Sequence, residues 1–287
     1  MSALAGAPRA GVCGWPIAHS RSPLIHGYWL HTLGVAGEYQ RFAVAPEDFA
    51  AFAASIRAGE LAGANVTTPH KEAAFAACDR RSAAAQASGA VNTLWREDGA
   101  LCGDNTDIAG FLDSLDAEAP EWRMTTRTAV ILGAGGAARA IVCALLSRGL
   151  ERIVVANRTT ERAEALARHF PGRTSAASWR DLPHRVAEAD LLVNTTTLGM
   201  VGQGALDLDL APLRPAAVVA DIVYVPSVTE LIERARARGL RAVGGLGMLL
   251  HQAAPGFERW FGVRPTVTAE LRALVEADIL ATQRESA

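Results

Sequence analysis

The residues of this chain best suited to chemistry follow a short apolar run near its middle. Gly133, Gly135 and Ala138 have the GxGxxA spacing, directly after residues 129–132 and at the start of an Ala-rich stretch. Glycines in such a strand-to-helix turn let the backbone approach a pyrophosphate, whose charge the free N–H groups of the helix start favour. We therefore predict a dinucleotide site, with an ordinary tight turn as the alternative. The turn comprises Gly133, Ala134, Gly135, Gly136, Ala137 and Ala138.

Basic residues follow the second apolar run, residues 152–157. An NAD site usually has an acid here for the ribose hydroxyls, whereas this chain has Asn157, Arg158 and Thr159, with Arg162 one helical turn further on. Guanidinium groups can hold a ribose 2′-phosphate by charge-assisted hydrogen bonds. These residues predict NADP as the cofactor, and two solvated arginines at a helix start are the alternative.

Polar residues also follow the predicted strands of the N-terminal region. Ser20 and Ser22 flank an arginine just before a predicted helix, where their hydroxyls could bind a carboxylate. Ser22 precedes Pro23 and could instead be a plain helix N-cap, the role that the local sequence favours. Thr67 and Lys71 follow the predicted strand at 63–66, and Lys71 taken singly would be a solvated lysine at a helix start.

Two further loops, GAVNT and GDNTD, contribute Asn92 and Asp107. Each loop by itself is typical of an ordinary turn, because neighbouring glycines allow tight backbone geometry. His70 lies next to Lys71, but a histidine at a helix start is more often a structural hydrogen-bond partner.

Composition narrows the class of protein. The chain has 287 residues, half of them apolar and a fifth charged, so it can bury a sizeable core and is expected to form two domains. A net charge of −2 without a dense basic run argues against a nucleic-acid partner. We expect no membrane span and no secretory leader, hence a cytoplasmic protein. The four scattered cysteines and the histidines lack metal-ligand spacing, so no metal is predicted.

The pattern of elements predicts an α/β fold with two domains. In the N-terminal region we predict strands at 10–14, 38–44 and 63–66 and helices at 23–33 and 46–58. The middle region has predicted strands at 129–132, 152–157, 190–194 and 217–223, with helices between them, which indicates a doubly wound sheet. The predicted domains are 1–107, a substrate domain; 108–244, the nucleotide domain; and 245–287, helical residues that include 267–283 and pack back on the first region.

The polar loops, their order and a later Gly- and Leu-rich segment together resemble the shikimate dehydrogenase family, NADP-dependent enzymes of aromatic amino-acid biosynthesis. The resemblance spans nearly the whole chain. Its blocks are GWPIAHSRSP, GANVTTPHKE, GAVNTL, GDNTD, ILGAGGAARA, NRTTERA and GLGMLLHQAAPGFERWFG, with DIVYVPSVTE as a supporting eighth. It implies a substrate domain completed by C-terminal helices, an inserted Rossmann domain, and reversible hydride transfer between NADPH and 3-dehydroshikimate to give shikimate.

The resemblance also implies roles for individual residues. It makes Lys71 and Asp107 the catalytic pair. It assigns the substrate carboxylate to Ser20 and Ser22, the ring hydroxyls to Thr67, Asn92 and Gln252, and the carboxylate end of the substrate to Tyr224. It places the pyrophosphate over residues 133–138, the 2′-phosphate on Arg158 and Arg162 beside Asn157 and Thr159, and Ile222, Gly245 and Met248 in the rest of the cofactor site.

Reduction of a ketone needs a hydride at carbon and a proton at oxygen. A positioned ammonium such as that of Lys71 can stabilise the growing alkoxide and donate the proton, with Asp107 orienting it. Whether Lys71 itself or a water relay moves the proton stays open, as does the oligomeric state, for which a homodimer is one option. A quinate or dual quinate/shikimate dehydrogenase is the nearer alternative function, and a non-catalytic metabolite sensor is the more distant one.

Overall fold

The computed structural model describes residues 6–286, and these form two compact units. The first unit consists of the residues up to Asp107 together with Leu250–Val275, and the second of Ile108–Leu249 and the residues from Glu276 onward. Each unit is built around its own six-stranded sheet. The prediction of an α/β fold with two domains is therefore confirmed.

The sheet of the first unit is mixed, with the strand order β2-β1-β3-β5-β6-β4. Strands β1 to β3 run parallel, whereas β5 is antiparallel to both of its neighbours. The strands are β1 Arg9–Gly14, β2 Glu38–Ala43, β3 Gly63–Val66, β4 Arg80–Arg81, β5 Thr93–Glu97 and β6 Ala100–Asp104. The helices are α1 Ser22–Thr32, α2 Phe49–Ala58, α3 Lys71–Ala77 and α4 Ala83–Ser88. Thus β3 ends at the loop that leads to Lys71, and β6 ends three residues before Asp107.

The sheet of the second unit is entirely parallel, with the order β12-β11-β10-β7-β8-β9. Its strands are β7 Thr128–Leu132, β8 Arg152–Asn157, β9 Thr174–Ser178, β10 Leu191–Asn194, β11 Val218–Asp221 and β12 Arg241–Val243. The central strands are buried on both faces, as helix-covered parallel strands are. The strand order reverses direction between β7 and β10, which is where doubly wound sheets bind nucleotides.

The remaining helices lie between Asp107 and Ser286. They are α5 Asp107–Glu118, α6 Trp122–Thr125, α7 Gly136–Ser147, α8 Thr160–His169, α9 Leu182–Glu188, α10 Glu230–Ala237, α11 Gly245–Phe261 and α12 Ala269–Ser286. The parts of α11 and α12 within Leu250–Val275 belong to the first unit. Two short 3₁₀ turns occur at Pro46–Asp48 and Trp179–Asp181. Within residues 6–286, no helix has the length and apolar character that crossing a membrane requires.

Several predicted elements differ from those observed. The helix predicted from residue 46 begins as a 3₁₀ turn and becomes α-helical only at Phe49, and the strand predicted to residue 223 ends at Asp221. The predicted strands do not include the β5–β6 hairpin, although its Asp98-Gly99 turn, with φ of 52° and 79°, has a typical hairpin sequence.

Candidate functional site

Lys71 and Asp107 are paired in the first unit. Lys71 begins α3, Asp107 begins α5, and the Lys71 Nζ donates to the Asp107 Oδ2 at 2.5 Å. The side chains are 26% and 11% exposed, so a molecule outside the protein can still reach the ammonium. Lys71 is also the only lysine in the chain. The simple expectation of a solvated lysine at a helix start is therefore wrong.

Asn92 holds the other oxygen of Asp107. Its Nδ2 donates to Asp107 Oδ1 at 2.8 Å, and its Oδ1 accepts from the Thr106 backbone N–H at 2.8 Å, the Thr106 hydroxyl at 3.1 Å and the Thr93 hydroxyl at 3.0 Å. Asn92 is only 3% exposed. This amide, expected to bind ring hydroxyls, therefore also fixes the carboxylate, and one of its two N–H groups is left for a ligand.

The loops after β1 and β3 lie side by side. The Trp15 N–H donates to the Thr68 carbonyl at 3.1 Å, and the Thr67 N–H donates to the Cys13 carbonyl at 2.9 Å. Gly14 permits this approach, because a Cβ there would lie 2.5 Å from the Thr67 Cγ2. The loop that contains Ser20 and Ser22 is thus anchored beside the loop that leads to Lys71.

Ser22 is not the N-cap of α1. It is the first helical residue, Arg21 occupies the cap position, and no side-chain cap bond is made. The Ser20 Oγ accepts from the Ser22 N–H at 3.3 Å, and the Ser20 carbonyl accepts from Arg41 at 2.6 and 3.0 Å, which fixes the loop.

The two other residues named for this unit differ in their surroundings. His70 is buried, its Nε2 lies 2.7 Å from the Val44 carbonyl oxygen, and its ring stacks on Phe49, so it has the structural role expected of it. Gln252 lies half-buried on α11.

The glycine turn of the second unit leaves open space above the start of α7. Gly133 has φ of +104°, and a Cβ there would lie 2.7 Å from the Thr195 hydroxyl, so only glycine fits. A Cβ added at Gly135 or Gly136 would meet nothing within 4 Å, while Ala138 is fully buried. An anion can therefore reach the backbone N–H groups of the helix start, and the turn fits a pyrophosphate.

A cavity of about 200 Å³ adjoins this turn. It is lined by Gly133, Ala134, Gly135, Asn157, Arg158, Trp179 and the segment 195–198. The Asn157 amide donates to the Thr159 carbonyl at 2.8 Å, which fixes the turn that carries Arg158. Arg158 and Arg162 are both exposed, but only Arg158 lines the cavity. The guanidinium group of Arg158 is thus available to a phosphate in this cavity.

The remaining cofactor candidates surround the end of β11. A Cβ on Gly245 would lie 2.3 Å from the Ile222 carbonyl oxygen, so the two backbones touch. Met248 packs, partly buried, against the core of the same unit, and Tyr224 is half-buried. Asp221 anchors this region. Burial raises the pKa of its carboxyl despite hydrogen bonds from the Thr229 hydroxyl at 2.7 Å, the Val223 N–H at 3.0 Å and the Asn194 amide at 2.9 Å.

Some residues near these sites were not predicted. Trp179 and Thr195–Leu198 line the cavity, and the signal for the latter was the polar run Asn194-Thr195-Thr196-Thr197 directly after a predicted strand. Asn65, Thr93 and Thr106 support the site around Asp107 but are ordinary polar residues in the sequence. No group of three or more His, Cys, Asp or Glu in residues 6–286 could hold a metal ion.

The fold and the two sites together define a class. A parallel sheet with a glycine turn at its switch point, next in sequence to a unit with a paired lysine and carboxylate, is the architecture of a dinucleotide-dependent oxidoreductase.

Comparison with known proteins identifies the family. Residues 12–94 match the shikimate dehydrogenase substrate binding domain, 116–206 match shikimate / quinate 5-dehydrogenase, and 245–274 match the shikimate 5′-dehydrogenase C-terminal domain. The shikimate dehydrogenase (NADP(+)) of Methylocella silvestris is 61% identical over 275 residues, which cover 96% of this chain and 98% of that protein. The chain belongs to the shikimate dehydrogenase family.

Solved structures of similar proteins agree with this membership. The shikimate 5-dehydrogenase of Thermus thermophilus, in complex with NADP(H) and shikimate, is 37% identical, has a TM-score of 0.82, and the match covers 96% of this chain and 99% of that one. The quinate dehydrogenase of Corynebacterium glutamicum, in complex with NAD, is 29% identical with a TM-score of 0.88, over 95% of this chain and 100% of that one.

Proposed function

We propose that this chain catalyses the reversible NADP-dependent reduction of 3-dehydroshikimate to shikimate. The observation that carries the proposal is the ion pair between Lys71 and Asp107, 2.5 Å apart and partly accessible. The 61% identical relative, a shikimate dehydrogenase (NADP(+)), supports both the substrate and the cofactor. The chain is accordingly an oxidoreductase that uses NADP.

Lys71 and Asp107 have different roles in the proposed reaction. When bound, the reduced cofactor supplies a hydride to the carbonyl carbon of the substrate. The Lys71 ammonium has three N–H donors, of which one is given to Asp107, so it can bond the carbonyl oxygen and deliver the proton that completes the alcohol. Asp107, held on its other oxygen by Asn92, keeps the ammonium in one position. In the oxidation direction the neutral Lys71 amine that this transfer leaves takes the proton back from the alcohol.

The substrate would be bound by the polar loops of the first unit. We assign the carboxylate to the hydroxyls of Ser20 and Ser22 and the ring hydroxyls to Thr67, Asn92 and Gln252. Tyr224 is assigned to the carboxylate end. The close approach of the β1 and β3 loops supports the first two groups.

The cofactor would be bound by the second unit. We assign the pyrophosphate to residues 133–138, since the open space at Gly135 and Gly136 fits it. Arg158, with Arg162, Asn157 and Thr159, would bind the 2′-phosphate. Ile222, Gly245 and Met248 would border the nicotinamide end.

Steady-state assays of shikimate and quinate, each with NADP and with NAD, test this proposal. We expect the highest kcat/KM for shikimate with NADP. Faster turnover of quinate with NAD would assign the chain to quinate oxidation, the activity named for the Corynebacterium protein. Binding of shikimate without turnover of either acid would indicate a metabolite sensor.

We also propose a cytoplasmic location and leave a homodimer as the assembly to be tested. All four cysteines are free and buried, as in proteins of reducing compartments. Cell fractionation and light scattering measure the two properties directly.

A further inference from the structure

We propose that Tyr39 is a positioning residue for the Lys71–Asp107 pair, acting through a one-way chain of buried hydrogen bonds. The inference rests on the proposed function, because it concerns the same reaction. Nothing in the sequence around Tyr39 marks it as functional. Its contacts within the first unit do.

The chain of hydrogen bonds is continuous from Tyr39 to the carboxylate. The Tyr39 hydroxyl donates to Asn65 Oδ1 at 2.6 Å, and Asn65 Nδ2 donates to Thr93 Oγ1 at 3.2 Å. The Thr93 hydroxyl donates to Asn92 Oδ1 at 3.0 Å, and Asn92 Nδ2 donates to Asp107 Oδ1 at 2.8 Å. The three intermediate residues are 1% to 4% exposed, so water cannot readily replace these bonds.

The sheet brings these residues together. Asn65 on β3 is the register partner of Thr93 on β5. Tyr39 lies on β2, and β1 separates it from β3. At this level Ala10 on β1 pairs with Tyr39 on one side and with Gly63 on the other. Because Ala10, the β1 residue at this level, is small, the Tyr39 hydroxyl can reach Asn65 across the middle strand.

The direction of the chain follows from its first donor. A tyrosine hydroxyl that donates to Asn65 Oδ1 keeps the Asn65 amide nitrogen turned toward Thr93. Thr93 Oγ1 then accepts a hydrogen bond and gives its own hydrogen to Asn92 rather than to the Thr106 hydroxyl, which lies 3.3 Å away. Each intermediate residue thereby accepts a hydrogen bond from the preceding one and donates to the next, and the last donation ends on Asp107. Asn92 Oδ1 also accepts from the Thr106 N–H and hydroxyl.

Tyr39 is well suited to be a permanent donor. Its ring stacks on that of His26 with centroids 3.9 Å apart and planes within 5°. Burial raises the pKa of Tyr39 well above its ordinary value, so the hydroxyl keeps its proton. Burial lowers the pKa of His26 to about 3, so the stacked imidazole is uncharged at neutral pH.

The test compares two tyrosines. Tyr39→Phe removes the hydroxyl and keeps the stacked ring, while Tyr28→Phe is the matched control, because the Tyr28 hydroxyl bonds only weakly, at 3.4 Å, to Thr268 in the same unit. We expect Tyr39→Phe to lower kcat for shikimate oxidation about fivefold with the KM for NADP unchanged, and Tyr28→Phe to stay within about twofold of wild type.

A second readout does not depend on turnover. Because Lys71 is the only lysine, lysine labelled with ¹³C gives a single Cε signal in NMR spectra. Tyr39→Phe should shift this signal and Tyr28→Phe should not. A Tyr39→Phe protein with wild-type kcat and an unshifted signal would overturn the proposal, whereas a wild-type protein that does not oxidise shikimate would overturn the proposed function itself.

A double-variant cycle tests whether the chain acts as a unit. Thr93→Val removes the hydrogen bond from Thr93 to Asn92 with little change in side-chain shape. If Tyr39→Phe does not fold, Thr93→Val replaces it as the test. If the chain is continuous, the double variant loses no more kcat than the worse single variant. Losses that multiply would show that the two residues act independently and would overturn the inference.

Discussion

At the scale of single residues, the proposed function depends on a few side chains with well-defined partners. In the proposed function, Lys71 and Asp107 supply the proton chemistry, and Asn92 holds the second oxygen of the Asp107 carboxylate. In the proposed function, Arg158 binds the 2′-phosphate of NADP, at the place where an acid binds the ribose hydroxyls in an NAD site. Because such recognition relies on charge-assisted bonds, single substitutions should separate the roles.

Arg158→Ala should weaken NADP selectively. Loss of a charge-assisted hydrogen bond to the 2′-phosphate is expected to raise the KM for NADP about tenfold or more and to leave the KM for NAD nearly unchanged. Arg168→Ala is the control, since Arg168 lies on the same helix, α8, and pairs with Glu164 at 3.6 Å. Unchanged NADP kinetics in Arg158→Ala would mean that another residue binds the phosphate.

Chemical acetylation tests directly whether activity depends on the Lys71 amine. With one lysine in the chain, an amine-reactive reagent can modify only Lys71 and the α-amino group. Activity should fall in step with modification of Lys71, followed by peptide mass spectrometry, and bound shikimate should slow both. Full modification of Lys71 with retained activity would exclude it from the proton transfer.

At the scale of elements, most strands were predictable, including β2 with its polar residues, whereas the β5–β6 hairpin, β9 and the shortest strands were not. Strands β1, β3, β7 and β8 were predicted within one residue at each end, because each is a clear apolar or small-residue run. The β5–β6 hairpin carries charged residues on its exposed end, β9 is a polar edge strand, and β12 has three residues, so periodicity gave little signal.

The same limit applies to the site. The glycine turn, Arg158, Lys71 and Asp107 were identified because each follows a recognisable strand or matches a family block. Asn65 and Thr93 could not be identified in this way, because their contact depends on the antiparallel register of β3 and β5. That register cannot be predicted from the sequence pattern. The roles given to Ser20, Gln252 and Tyr224 stay predictions.

The contact between α5 and α6 makes stability depend on pH. Burial would raise the pKa of Asp116, but hydrogen bonds from Trp122 and Arg123, and the charges of Arg123 and Arg148, outweigh it and hold the pKa below its ordinary value. A lowered folded pKa adds stability above the ordinary carboxyl pKa, and this stability is lost as pH falls through the lowered value.

Asp116→Asn should therefore lower the free energy of unfolding at neutral pH by about 1 kcal/mol, a figure reduced for the partial exposure of the carboxylate. The difference from wild type should shrink below about pH 4. Denaturant unfolding at several pH values measures it, with Asp98→Asn, an exposed residue, as the control. A difference that does not vary with pH would argue against the ionic origin.

At the scale of the whole molecule, each of the two units has its own sheet. In the proposed function the first unit binds the substrate and the second binds the nucleotide. Residues 250–275 group with the N-terminal unit although they follow the Rossmann strands in sequence. The domain boundaries at 107 and 244 were proposed from motifs and stay predictions as functional boundaries. Ligand binding to one unit should nevertheless register in the stability of the protein, because a ligand that binds only the folded state stabilises it.

NADP should raise the melting temperature more than NAD does. At a hundredfold excess over its Kd a ligand adds about 2.7 kcal/mol, which corresponds to a rise on the order of 5 °C for a chain of this size. Differential scanning fluorimetry at equal cofactor concentrations measures the rise, and Arg158→Ala should narrow the gap between the cofactors. Equal shifts in the wild-type protein would contradict selection for the 2′-phosphate.

The most direct measurement is the steady-state oxidation of shikimate by NADP, followed by the absorbance of the reduced nicotinamide, for the wild type and Lys71→Ala side by side. The account predicts a wild-type enzyme that turns over, and a variant whose kcat falls about 100-fold to 10,000-fold while the KM for shikimate changes much less. An unchanged kcat with only a raised KM would assign Lys71 to binding alone and contradict the central claim.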